Sequence, residues 1–150
     1  MNTRLVAAPD GMAVVSPSST AATARGFRAF RQACFSAVTA GIDEPHRVAL
    51  YVLVEPGRDP ANRLAVAQAH ANRAGVEVAY RVCDSTGMTD PFTRPGLARA
   101  YAAIGRGEIH GIVAASRTDI SAFDRPYEQE LWRLRALPGF LLLAHDETHA

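Results

Sequence analysis

The sequence predicts an α/β domain: a three-layer α/β/α arrangement on a mainly parallel sheet, with a short N-terminal hairpin and helix in front. Three observations predict it. From residue 46 onward, four apolar strand patterns alternate with helical patterns, the signature of βαβ units. The first strand pattern, Val48-Ala49-Leu50-Tyr51-Val52-Leu53-Val54, is a continuous apolar run, as expected of a strand covered on both faces. The chain has 150 residues, 48% of them hydrophobic, enough for one core without a disulfide or metal staple.

The elements follow in order. Residues 5–8 and 12–15 are short apolar runs around Pro9-Asp10-Gly11, a turn signal that predicts a small hairpin. Pro17-Ser18-Ser19-Thr20 is expected to break the chain and supply a helix cap. Over residues 21–40, Phe27, Phe30, Cys34, Ala37 and Val38 fall near helical spacing, with Arg25, Arg28 and Arg31 on other faces and Gly41 closing the helix. This helix either packs on the following domain, covering a sheet edge, or presents a basic face to a partner.

Residues 55–60 form a loop, and residues 61–74 a helix with Leu64, Ala67, His70 and Ala71 on one face. The second strand spans residues 76–82. Residues 84–93, rich in Ser, Thr, Gly, Asp and Pro, form a loop. A helix over 95–105 turns Leu97, Tyr101 and Ile104 inward, and the third strand covers 109–115. The last helix, 124–137, buries Tyr127, Leu131 and Leu134, with Trp132 expected to pack on the sheet; Pro138-Gly139 ends it before the strand at 140–144. The last residues, with His145 and His149, are expected to fray. Residues 1–43 therefore read as an extension and 44–150 as the α/β domain. In a parallel sheet, functional groups gather at the strands' carboxyl ends. These are Glu55, Asp84, residues 116–119 and His145-Asp146.

The net charge of +1 excludes a strongly basic nucleic-acid arm as the main device. All 16 basic residues are arginine, the better fork for phosphate or carboxylate, so individual arginines carry weight. Cys34 and Cys83 stand alone, without metal-binding spacing, and fit a reducing cytoplasm. The N-terminal apolar runs are too short for a signal peptide or a membrane span, so a soluble, cytoplasmic protein is expected.

Three segments in this order resemble the catalytic domain of the serine recombinases, the resolvase/invertase family. The first is Tyr51-Val52-Leu53-Val54-Glu55 with the helix containing Gln68. The second is Asp84-Ser85-Thr86-Gly87 followed by Arg94-Pro95-Gly96-Leu97. The third is Gly107-Glu108-Ile109-His110-Gly111-Ile112-Val113 running into residues 117–122. The family pattern reads Tyr-x-Arg-x-Ser, then Asp-x-x-x-Ser-Gly and Arg-Pro-x-Leu, then Asp-Arg-Leu-x-Arg. The resemblance covers residues 47–147 and implies the resolvase fold. It also implies a degenerate site. The nucleophilic Ser falls on Glu55, and the family's arginines fall on Leu53, Asp119 and Ala122. Gln68 and Arg94 remain from the phosphate-contacting set, and Arg117 could join them only if its loop shifted.

Attack by a Ser hydroxyl on a DNA phosphodiester needs that hydroxyl and several aligned cations. The resemblance therefore implies a catalytically inactive domain that works as a protein-interaction or regulatory module, self-associating or binding another protein, without a cofactor. Two alternatives stand beside it. Glu55, Asp84 and Asp119 could converge on Mg²⁺ in a toprim-like phosphoesterase. Arg94, Arg99, Arg106 and Arg117 could form one basic side that associates with DNA without chemistry. In the family a long helix and a DNA-binding segment follow the sheet. Neither is visible after residue 144, so any DNA contact is expected to be weak or indirect.

Overall fold

The computed structural model describes residues 17–149, with side chains from residue 22; the hairpin expected at residues 5–15 lies outside the described residues. Four helices and four strands alternate: α1 (Pro17–Thr39), β1 (Arg47–Leu53), α2 (Ala61–Ala74), β2 (Glu77–Asp84), α3 (Pro95–Gly105), β3 (Gly111–Ala114), α4 (Asp124–Ala136) and β4 (Phe140–Leu143). All strand pairs are parallel, in the order β2-β1-β3-β4. One irregularity, at Val48/Ala49, inserts an extra residue in β2.

Alternation along β1 explains its unbroken apolar run. Ala49 and Tyr51 face one side with Ile112, Ala114, Leu141 and Leu143, under Leu97 and Ile104 of α3 and Leu131 and Leu134 of α4. Val48 and Leu50 face the other with Val113 and Phe140, under Ala67 and Ala71 of α2. The three-layer α/β/α arrangement is thus as expected.

The local signals that set α2 and α3 are strong. Gly75, at φ 74°, closes α2 with its amide on the Ala71 and Asn72 carbonyls. Pro95 sits in the first turn of α3, where its missing N–H costs nothing. The same rule corrects the expectation for Pro17: it begins α1 instead of breaking the chain before it. The third strand is shorter than expected because Ala115 turns its amide to the Asp119 carboxylate, at 2.9 Å.

Helix α1 closes the β4 edge of the sheet. Phe27 packs edge-on against Tyr127 at 5.2 Å, and Phe30 against Trp132 at 4.9 Å, on the α4 side. Phe35 packs against Phe140 at 4.9 Å on the α2 side. Between them Arg31, expected off the apolar face, is 5% exposed. Its Nη1 donates to the Leu141 carbonyl of β4 at 3.3 Å. Its Nε and Nη2 donate to the Glu147 carboxylate at 2.6 and 2.8 Å, which also accepts from the Tyr127 hydroxyl at 2.7 Å. The segment after β4 is therefore anchored through residue 149, not frayed, with Ala144 and His145 donating to the Ala114 and Ala115 carbonyls. Trp132 is half exposed and packs on α1, away from the sheet.

Gly111 is the tightest backbone approach. A Cβ there would meet the Phe140 ring and lie 2.6 Å from the Phe140 carbonyl oxygen, a fixed part of the β3–β4 ladder. Gly111→Ala should therefore lower the unfolding free energy by about 1–3 kcal/mol, read by urea denaturation. Unchanged stability would mean that the two strands can separate at no cost.

Candidate functional site

The parallel sheet brings the carboxyl ends of all four strands to one edge, and some of the expected site residues lie there while others do not. Asp119 is fully buried. Its Oδ1 accepts from the Leu53 amide at 3.0 Å and Arg63 Nε at 2.9 Å. Its Oδ2 accepts from the Ala115 and Ser116 amides at 2.9 and 3.1 Å, with Arg63 Nη2 at 2.9 Å. One carboxylate thus ties the end of β1, the turn after β3 and the first turn of α2.

Asp84 performs the equivalent task for α3. Its oxygens accept from the Gly96 and Leu97 amides at 2.8 and 3.0 Å, and from the Tyr51 hydroxyl at 2.8 Å. Negative charge is favourable at a helix N-terminus, whose first amides have no partner within the helix. Burial pushes the Tyr51 hydroxyl well up from its usual range, so it remains a donor. Gly96 leaves room for this contact, since a Cβ would lie 2.8 Å from Asp84 Oδ1.

These arrangements correct the metal expectation. Glu55, Asp84 and Asp119 do not form a common oxygen cage, because both aspartates spend their carboxylates on N–H and O–H donors in separate places. Among the described residues, no group of three His, Cys, Asp or Glu side chains is placed to hold a metal ion. Glu55 is exposed and lies over Gly87, where a Cβ would come 2.8 Å from Glu55 Oε1; the φ of 67° at Gly87 also suits glycine. Among the described residues the Glu55 carboxylate accepts no hydrogen bond.

The arginines do not form one basic side either. Arg94 is 2% exposed. Its Nε and Nη2 donate to the Thr89 carbonyl at 3.2 and 2.6 Å, and its Nη1 to the Asp119 carbonyl at 2.9 Å. It pins the 84–93 loop to the turn after β3. Arg117 lies over the Tyr127 ring at 4.4 Å and the Phe27 ring at 5.4 Å, with Nη1 on Asp124 at 2.9 Å. Its loop has not shifted toward the strand ends. Arg99 lies further along α3 and Arg106 just past its end, where it pairs with Glu108 at 2.7 Å. Gln68 bridges Asn72 and Arg81 on the outer side of α2, at 3.0 and 2.8 Å. Leu53 and Ala122 bring no polar group.

The cation that does occupy the strand ends is Arg63, which the sequence reading missed. It also reaches Ser116 Oγ at 3.2 Å. Its signal was available in helical spacing: Arg63 stands four residues before the buried Ala67, in the α2 turn that follows β1.

No protein-family model and no curated protein matches the sequence. Solved structures do match the fold. The C-terminal catalytic domain of ISC1926 TnpA, an IS607-like serine recombinase, aligns with TM-score 0.55 and 15% identity, over 65% of this chain and 70% of that one. The first open reading frame of transposon ISC1904 from Sulfolobus solfataricus P2 aligns with TM-score 0.53 and 17% identity, over 66% and 67%. The N-terminal catalytic domain of TP901-1 integrase aligns with TM-score 0.54 and 15% identity, over 69% and 83%. The resemblance carried by the motifs is therefore matched in the fold. Among the described residues, no helix is long and apolar enough to cross a membrane.

Proposed function

We propose that this chain is a recombinase-fold domain without phosphoryl-transfer chemistry, serving as a protein-interaction or regulatory module. The observation that carries this reading is the environment of residue 119. The resemblance assigns an arginine there, yet the position holds a buried carboxylate ringed by three backbone amides and Arg63. A pocket built of donors accepts an anion from the protein itself. It offers no cation to a phosphate from outside.

Two further features support it. The nucleophile position is Glu55, whose carboxylate has no hydroxyl to give and repels phosphate. Arg94 remains in sequence, but its N–H groups point inward onto carbonyls, so it reaches a phosphate only if the 84–93 loop opens. Loss of one aligned donor costs about a hundredfold to a thousandfold in rate. Several are missing here. The partner is a protein, another chain or a second copy.

The test is incubation of the unmodified protein and of Glu55→Ser with supercoiled plasmid. Both are expected to leave the plasmid intact, because a serine alone restores none of the arginines. Nicking, or a covalent protein–DNA link, by the unmodified protein overturns the proposal.

A further inference from the structure

Helices α1 and α4 run side by side in the same direction: Phe27 meets Tyr127, and Phe30 meets Trp132. Two hollows open along their seam. One, of about 230 Å³, lies between Phe30 and Trp132, with Glu128 on its wall. The other, of about 260 Å³, lies beyond Phe30, with Arg135 on its wall. Trp132 is 52% exposed although it packs on Phe30. A lone apolar side chain on a surface is ordinary, but an exposed tryptophan backed by a second ring and set beside hollows makes an apolar face. Tryptophan and arginine are also the residues that most often carry binding energy at protein interfaces.

The charges on this face are ordered along α4. Glu128 precedes Trp132 by one turn, Arg135 follows it by one turn, and both are exposed. Arg135 lies over the Trp132 and Phe30 rings, at 5.2 and 5.6 Å. Among the described residues, neither Glu128 nor Arg135 makes a hydrogen bond or ion pair. Opposite signs on either side of one apolar residue are what a two-fold axis matches. When two α4 helices meet antiparallel beside Trp132, Glu128 of each copy faces Arg135 of the other. Along the axis Glu128 stands about 6 Å before Trp132 and Arg135 about 4.5 Å after it. Two long side chains absorb the difference of about 1.5 Å.

Charge decides the occupant. A nucleic acid would bring phosphates against the Glu128 carboxylate beside the apolar centre. A second copy carries the complement of this face by symmetry alone. We propose that the α1–α4 face is a self-association surface, on which two copies pair about a two-fold axis. Trp132 of each copy enters the seam of the other, and two reciprocal Glu128–Arg135 ion pairs flank the contact. The tryptophans supply the buried apolar area, and the charges fix the register. This inference rests on the interaction-module reading and names the partner as a second copy.

The experiment measures the mass of the full chain by analytical ultracentrifugation over a range of concentrations. A dimer is expected. Glu128→Arg and Arg135→Glu should each weaken it about tenfold or more, because either variant opposes like charges. Mixing the two variants should restore pairing, since the two arginines of one copy then meet the two glutamates of the other. Trp132 is the only tryptophan, so its emission should move to the blue as the dimer forms. A monomer at every concentration overturns the inference. So does a dimer that neither variant weakens, or a mixture of the folded variants that fails to pair. Blue emission already present in the monomer overturns it too, because the chain then covers Trp132 by itself. A monomer with plasmid left intact removes this inference and leaves the non-catalytic reading. Plasmid nicking removes that reading instead.

Discussion

Arg31→Ala is expected to destabilise the protein by about 3–5 kcal/mol, because it strands the Glu147 carboxylate in the interior. Glu147 is 8% exposed, and its oxygens accept from Arg31 at 2.6 and 2.8 Å and from Tyr127 at 2.7 Å. Without Arg31, no cation opposes the buried charge, and the Tyr127 hydroxyl is its remaining side-chain partner. For a chain of this size about 1 kcal/mol corresponds to roughly 2–4 °C in melting temperature, so the loss is easily seen in a thermal scan. The double variant Arg31→Met/Glu147→Leu removes both charges together and should recover most of the loss, since replacing a buried pair by apolar groups is often neutral. A single substitution costing less than about 1 kcal/mol would show that α1 is held by its phenylalanines alone.

The same pair predicts the acid limb of stability. Burial by itself pushes the Glu147 carboxyl up, but the Arg31 fork and the Tyr127 hydroxyl outweigh it and hold it below the ordinary carboxylate range. A group depressed in the folded state contributes fully above its unfolded pKa. Its contribution is lost as pH falls through the folded value. Unfolding free energy measured from pH 7 downward should therefore decline from about pH 5, and more steeply than in the double variant. Because Arg31 is on α1, Tyr127 on α4 and Glu147 beyond β4, protonation loosens the edge cover before the central strands. Hydrogen exchange at β4 amides would report that order.

What was legible in the sequence, and what was not, follows from how far apart the interacting residues stand. Helices α2 and α3 were read to the residue because their stops are local: Gly75 for one, Pro95 at the start of the other. The parallel sheet followed from the apolar run at 48–54 and the alternation after it. Arg31 was misread because nothing within a helical turn signals Glu147, 116 residues away. Arg94 shows a different limit. Its motif was recognisable, but the direction of its guanidinium depends on the Thr89 and Asp119 carbonyls, which only the folded loops bring near. Asp84 and Asp119 were correctly expected at strand ends. Their chemistry was not, because an aspartate in a loop looks alike whether it faces a metal or a set of backbone amides.

Asp119→Asn should be among the most damaging substitutions in the molecule, costing about 3–5 kcal/mol in urea denaturation. The carboxylate meets three backbone amides and the Arg63 guanidinium, all donors. Asparagine keeps one oxygen and turns an NH₂ group toward the rest, so two or more buried donors lose their acceptor. Arg63→Ala should cost less, about 1–2 kcal/mol, because Arg63 is partly exposed and Asp119 retains its three amides. The reverse order would mean that the cation, not the amide ring, organises the strand ends. If Asp119 served a metal, Mg²⁺ would raise the melting temperature of the unmodified protein and not of Asp119→Asn. The expected result is no shift in either. Asp119→Arg, which installs the residue that the recombinase pattern calls for, should abolish folding: an arginine there replaces the one acceptor shared by three backbone amides and sets a second guanidinium against Arg63. The surroundings of residue 119 are thus committed to an anion, and a single substitution back toward the recombinase sequence would lose the fold before it regained a phosphate contact.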